Sequence, residues 1–218
     1  MRKTVYKKDF LIVTLLLAAV LGFMLSSTTT VHAMSRSAQH KLYKTTMKNY
    51  AKKVKASYKR NSPEHNTGSS WRKVMYLFVD IDKNGIDELI MRYADPKQER
   101  NTASGLGYAE STTIYTIKNE KVVTVLDHTD VNPSRHDNFV HIFKNRSRID
   151  MGMWHGYDDH TFCKYSNGKL YTSSNTIWMT ATSSSWRYNQ KSISRSTYQA
   201  KYKFLTNNGK GYTMKVYE

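Results

Sequence analysis

The chain has 218 residues, 34 Lys and Arg against 17 Asp and Glu, a formal charge of +17 and a single cysteine. A charge that large keeps a protein soluble and draws it to polyanions, and a lone thiol excludes an internally disulfide-stapled scaffold. The sequence holds no P-loop, nucleophile elbow, dinucleotide fingerprint or nucleic-acid-binding motif, which sets aside the enzyme and recognition classes those motifs announce.

Arg2, Lys3, Lys7 and Lys8 precede an almost unbroken apolar run over 10–25, and Val31-His32-Ala33 offers small residues at both specificity positions of a signal-peptidase site. Residues 1–33 therefore read as a secretory signal, to be left out of fold reasoning. The apolar run is shorter than the ~18–20 residues of a retained anchor. No cysteine adjoins the cleavage site, and Val216-Tyr217-Glu218 is neither a hydrophobic tail nor a wall-sorting signal. The expectation is an extracellular protein, released or held non-covalently at the wall, with no membrane span after cleavage. Losing the four basic residues and Asp9 leaves 34–218 at +14, a length suited to one α+β domain with a sizeable core. The polyanions met there would be teichoic acids, anionic lipids or acidic polysaccharide. A merely solvated basic surface is the alternative.

Residues 35–60 predict a helix: Tyr43, Met47, Tyr50, Val54 and Tyr58 recur at steps of three and four on an otherwise basic cylinder, with Ser35 or Ser37 to cap it. Such a helix can lie on membranes, but Tyr and Met make a poor insertion face, so it is expected to pack on a sheet. After a loop over 61–70, residues 71–82 and 88–94 read as two strands of a hairpin. Leu77, Val79 and Ile81 share one face of the first and Tyr76 and Phe78 the other, the mark of a central strand. Residues 95–107 form a long polar excursion. Three further hairpins follow over 111–173, turning at Lys118–Glu120, at 144–147 and at Ser166-Asn167-Gly168. Residues 180–185 read as a loop. Ser194 to Thr197 starts a short helix whose apolar face is Tyr198, Tyr202 and Leu205, Asn207-Asn208-Gly209 ends it, and 212–217 alternates as a last strand. The whole predicts an antiparallel meander with both helices packed to one side.

The stretch that carries chemistry is Val79 to Leu89, V-D-I-D-K-N-G-I-D-E-L. Alternate oxygen donors at Asp80, Asp82 and Asn84 ahead of Gly85 are how a short loop wraps a hard cation. Met91 stands where an EF-hand has its closing glutamate, so this is not an EF-hand. The pattern D-x-D-x-N-G-x-x-E between two strands resembles the calcium hairpins of integrin-type propeller repeats. More closely, it resembles the D-I-D-x-D-G-x-x-E-L hairpins of small exported proteins, of largely unassigned function, from lactobacilli and related Gram-positive bacteria. In layout the resemblance spans most of 34–218, and it is sharp over Tyr76 to Ile90. It implies Ca2+ held by Asp80, Asp82, Asn84 and Glu88 side chains and the Ile86 carbonyl. With Asn84 in place of an aspartate and Lys83 among the ligands, the Kd should fall at about 0.1–1 mM, the extracellular class. A metal-free turn is the alternative, because Asp, Asn and Gly also make ordinary turns.

A second constellation is Trp154-His155-Gly156-Tyr157-Asp158-Asp159-His160, with His136 and His141 upstream and Cys163 just after. His155, Asp158, Asp159 and His160 are the group a secreted hydrolase would use, although a spacing of five puts the two histidines on opposite faces of a strand. A polar loop at a sheet edge is the plainer reading, and Cys163 is expected to be buried and inert. Trp154, His155, Trp178 and Trp186 are the candidates for a ligand surface, since exposed aromatics suit carbohydrate while sheets also bury them. The resulting expectation is a secreted, monomeric, non-enzymatic module with no assigned catalytic residue or specific nucleic acid, stabilised by Ca2+ and held to anionic wall polymer or polysaccharide. The alternatives are the hydrolase and an inhibitor or immunity-type protein.

Overall fold

The computed structural model describes residues 34–60, 73–94, 111–129, 138–154, 158–173 and 176–217. The expected signal 1–33, the loop 61–70 with Trp71, the excursion 95–107, His136 and His155 lie outside the described residues. Helix α1 is Arg36–Arg60. Ser35 starts it, its hydroxyl accepting the Ala38 N–H at 3.3 Å, which satisfies one of the first-turn donors. The predicted stripe is its buried face, with Tyr43, Met47, Tyr50 and Val54 all below one-tenth exposed, and the side chain of Tyr58 outside the description. No helix among the described residues is long and apolar enough to cross a membrane.

The chain is α+β and its strands pair antiparallel, but in two sheets rather than one. Strands β1 (Lys73–Val79), β2 (Glu88–Ala94), β3 (Ser111–Lys118) and β4 (Lys121–Thr129) run as a meander. Beyond 130–137 the chain enters a second sheet made of β5 (Asn138–Ile142), β6 (Arg148–Trp154), β7 (Asp158–Ser166), β9 (Ile177–Ala181), β10 (Trp186–Tyr188) and β11 (Lys191–Ile193). The short β8 (Lys169–Tyr171) folds back on β7. After helix α2 (Arg195–Leu205), β12 (Lys215–Val216) returns to the first sheet and pairs with β1. That pairing makes β1 interior, as its two apolar faces require.

Three apolar clusters give the layering. Met75, Val79, Ile90 and Ile114 of the first sheet meet Val140, Ile142, Ile149 and Tyr165 of the second. On the far side of the first sheet Leu89, Met91 and Tyr93 receive α1; on the far side of the second, Phe143, Phe162 and Met179 receive Tyr198 and Leu205 of α2. The order is helix, sheet, sheet, helix. Both helices therefore pack as expected, yet on opposite outer faces instead of one side. The physical reason is in β2: every one of its residues is buried, so both faces of the first sheet need a cover, and α1 supplies only one. Each fully buried Leu or Ile here is worth about 1.5–3 kcal/mol relative to exposure.

Three of the hairpins turn where two successive residues adopt positive φ: Asn119 and Glu120, Asn167 and Gly168, and Asn189 and Gln190. Such pairs suit the type I′ turns that match strand twist. The last of these was not anticipated, nor were β9 to β11. The expected loop over 180–185 begins only after Ala181, and the last strand is two residues long. Ser194 caps α2 by accepting the Thr197 N–H at 3.1 Å.

Candidate functional site

The acidic loop lies between β1 and β2 and is built on its own side chains. Asp80 accepts the N–H groups of Asn84 at 3.0 Å and Gly85 at 2.9 Å, and Asn84 Oδ1 accepts the Ile86 N–H at 2.7 Å. Gly85 takes φ +88, with open space where a Cβ would stand; glycine is required by backbone conformation, not by room. From α1, the fully buried Gln39 donates to Gly85 O at 2.9 Å and accepts from the Asp87 N–H at 2.7 Å. Asp87 faces away from the would-be ligands. Its carboxylate meets His40 Nε2 at 2.8 Å and Arg36 Nε at 3.6 Å, and its carbonyl accepts from Tyr43 OH at 2.9 Å.

Glu88 has no exposed surface. Its Oε2 accepts the Ile81 N–H at 2.9 Å, closing the loop on itself, and its Oε1 accepts Thr116 Oγ1 at 3.1 Å and Tyr165 OH at 2.9 Å. Burial outweighs those three donors and pushes the Glu88 carboxyl up from the ordinary 4.5 to about 7. Tyr165 belongs to the second sheet, as does Asn167, whose backbone N–H donates to Asp82 Oδ2. The acidic loop is thus the joint between the two sheets.

Three of the predicted ligands converge: one oxygen from each of Asp80, Asp82 and Glu88 lies within 4.8 Å of the others. Asp82 Oδ1 is buried and has no hydrogen-bond partner among the described residues. A buried carboxylate oxygen without a partner is costly, and an all-oxygen set of this kind fits a hard cation. Asn84 is folded onto its own loop. Glu88 has about four lone-pair sites and three donors, which leaves it one position to offer. The three carboxylates are a weak candidate for holding a hard cation.

The predicted group around His160 does not assemble as expected. His155 lies outside the described residues, Asp158 is exposed, and strand alternation turns Asp159 and Cys163 to the face opposite His160. The partner of His160 is instead Asp150, fully buried, at 2.8 Å from Nδ1, with His141 Nδ1 3.7 Å from the same oxygen. Burial alone would lower the His160 imidazole, but the Asp150 charge and hydrogen bond, with Asp158 and Asp159 behind them, hold it above its usual value. Asp150 is held low against its burial by the two histidines, while burial pushes His141 down. Tyr202 of α2 covers the pair, 4.8 Å between ring centres. Cys163 is 1% exposed and its thiol is pushed up by burial, the inert state expected of it. Sequence reasoning missed Asp150, an aspartate inside an apolar strand with His141 directly cross-strand on β5 and His160 diagonal to it on β7. That placement was the available signal.

Of the aromatic candidates, Trp178 is 49% exposed and lines a cleft of about 410 Å³. Trp186 faces the other side of the sheet, packed in the α2 cluster with Arg195 6.0 Å from its ring. The side chain of Trp154 lies outside the description.

The basic charge has a definite place. Helix α1 carries nine Lys and Arg and no Asp or Glu, and Lys41, Lys44, Lys48, Lys52 and Lys55, at steps of three and four, form one exposed ridge. Beside it runs a groove of about 640 Å³, where Lys44 and Lys48 face Tyr76, Phe78 and Tyr217. His40 stacks on Phe78 at 3.8 Å, and Tyr217 stands edge-on to Tyr76. No known family, curated protein or solved structure matches the chain.

Proposed function

We propose that this chain is an exported, non-enzymatic module of a Gram-positive cell surface, of the kind its hairpin resembles, which holds to anionic wall polymer or acidic polysaccharide through α1. The observation that carries the reading is the lysine ridge of α1, which presents aligned cations with no carboxylate of its own helix among them. Such a surface raises the local concentration of a polyanion and is screened by salt. A Ca2+ ion held by Asp80, Asp82 and Glu88, with Asn84 and the Ile86 carbonyl, would serve as a structural staple: it supplies charge neutralisation and no chemistry. The chain's own residues shape the loop, through Gly85 and Gln39, and join it to both sheets. The hydrolase alternative draws less support, because its residues are not brought together: His160 pairs with Asp150 under Tyr202, and Asp158 is exposed.

The test is retention of the purified protein on immobilised lipoteichoic acid or polygalacturonate over a salt gradient. Wild type should bind at low salt and release as salt rises, and replacement of Lys41, Lys44, Lys48, Lys52 and Lys55 by Gln should abolish retention. Binding indifferent to salt, or unchanged in the variant, refutes the electrostatic reading.

A further inference from the structure

The two sheets do not cover each other completely. The inner residues of β5 to β8 meet the first sheet in the central core, whereas no residue of β9 or β10 joins that core, and His128 of β4 is the first sheet's residue beside them. There Trp178, Thr180 and Arg187 line the cleft of about 410 Å³, together with Asp159 and Thr161 of β7 and Gln190 of the following turn. The pairing fixes their arrangement. Asp159, Thr180 and Arg187 are successive cross-strand partners and form one row; Thr161 and Trp178 are partners and form the next. The backbones of Asp159 and Arg187, two strands apart at about 4.8 Å per strand, stand roughly 10 Å from each other on either side of Thr180.

Four features of this cleft select a class of ligand. Its volume lies in the range of small-molecule sites, about 300–1,000 Å³. One flat apolar surface, the half-exposed indole of Trp178, is open at its edge, and large exposed aromatics of this kind mark binding surfaces. The polar groups offer both roles: Asp159 only accepts, Arg187 only donates, and Thr161, Thr180 and Gln190 do either. A ligand that meets them needs an array of groups that both donate and accept, which is what vicinal hydroxyls are. Finally, the ionisable groups that line the cleft are one carboxylate, one guanidinium and the imidazoles of His128 and His160, with no lysine among them, in a protein whose formal charge is +17. Polyanion attraction is not what this surface is shaped for.

From this we infer that the Trp178–Arg187 cleft binds a neutral saccharide, one ring face on the indole and its hydroxyls shared between Asp159, Thr180 and Arg187. It is separate from the lysine ridge of α1 and independent of the polyanion reading.

The test is calorimetry and tryptophan fluorescence of the purified protein with four neutral tetrasaccharides, built of glucose, mannose, galactose and N-acetylglucosamine, and with tetragalacturonate as the charged control. At least one neutral tetrasaccharide should bind and perturb the fluorescence, with a Kd that changes less than about twofold between low and high salt, because no ion pair is screened. Trp178→Ala and, independently, Arg187→Gln should each weaken binding by about tenfold or more, while the five-lysine variant of α1 should bind the sugar as wild type does. Arg187 is exposed on a short strand, so its replacement keeps the test open if Trp178→Ala misfolds. Failure of all four neutral sugars to bind overturns the inference. So does a sugar that binds both variants normally, or binding of the charged control alone with steep salt dependence.

Discussion

Glu88 should make the metal-free protein lose stability as pH rises toward neutrality, the opposite of the usual carboxylate. Its folded pKa, about 7, lies above the ordinary 4.5, so the folded state holds the proton more tightly than the unfolded state does. The stabilisation is complete below the unfolded value and is lost as pH climbs through the folded one. A shift of this size corresponds to about 3 kcal/mol, or roughly 6–12 °C of melting temperature for a domain of this length. His160, held up by Asp150, adds a loss of the same sign only above its ordinary 6.5, and His141, pushed down, adds a gain that is made below 6.5 and complete above it. Comparison with Glu88→Gln at each pH removes both. Gln keeps an acceptor for Tyr165 and Thr116 but turns an amide N–H toward the Ile81 N–H, so the variant carries a penalty that does not depend on pH. Urea melts in EDTA between about pH 4.5 and 8 should therefore show the wild type losing its margin over the variant by about 3 kcal/mol. Parallel curves would refute the assignment of a buried, proton-holding Glu88. Calcium at about 10 mM, against a Kd near 1 mM, should restore about 1.4 kcal/mol at pH 8 and little at pH 4.5, where the proton occupies the carboxyl.

Two more predictions rest on the same joint. A thermal melt of wild type at neutral pH should rise by about 3–5 °C on adding 10 mM calcium to EDTA-treated protein, and by much less with magnesium; Asp80→Ala with Asp82→Ala should abolish the response, and a surviving shift would move the site elsewhere. Gly168→Ala should cost about 1–3 kcal/mol by urea titration, because φ is +66 there and a Cβ would sit 2.8 Å from Lys118 Cε and 2.9 Å from Thr116 Cγ2. A cost under about 0.5 kcal/mol would mean that Thr116, a donor to Glu88, gives way freely.

What was legible in the sequence was whatever local pattern decides. The stripe from Tyr43 to Val54 located α1 and its buried face, Asn167-Gly168 located a turn, and the alternation of Asp80, Asp82 and Asn84 before Gly85 located the loop. The β10–β11 hairpin was missed because its strands are three residues each, too short to show an alternation, and its Asn189-Gln190 turn has no glycine to mark it. The split into two sheets was missed because a meander looks the same in sequence whether it continues or folds over; only the summed burial of β2 demands a second cover. The site was half legible for a related reason. Asp80 and Asp82 announce themselves by spacing, whereas Tyr165 reaches Glu88 across 77 positions and Gln39 reaches Asp87 across 48, and nothing local to either residue records the contact.

Those long-range contacts change what a cation in the loop would do. In a simple hairpin, a bound ion would stiffen a turn. Here Glu88 receives donors from Ile81 of the loop, Thr116 of β3 and Tyr165 of β7, and Asp82 receives Asn167 from the β7–β8 turn. The carboxylates that would hold the ion are the same ones that hold the sheets together. Held together without a cation, they repel one another, and Asp82 is among the charges that raise Glu88. A proton on Glu88 relieves that repulsion, and a divalent cation relieves it more completely, so the two compete for one joint. The single cysteine leaves no internal disulfide to brace the sheets. Under the proposed reading, a Kd of about 0.1–1 mM leaves the joint unfilled at micromolar calcium and fills it at millimolar calcium, so the brace would tighten where calcium is plentiful and a polymer has to be held.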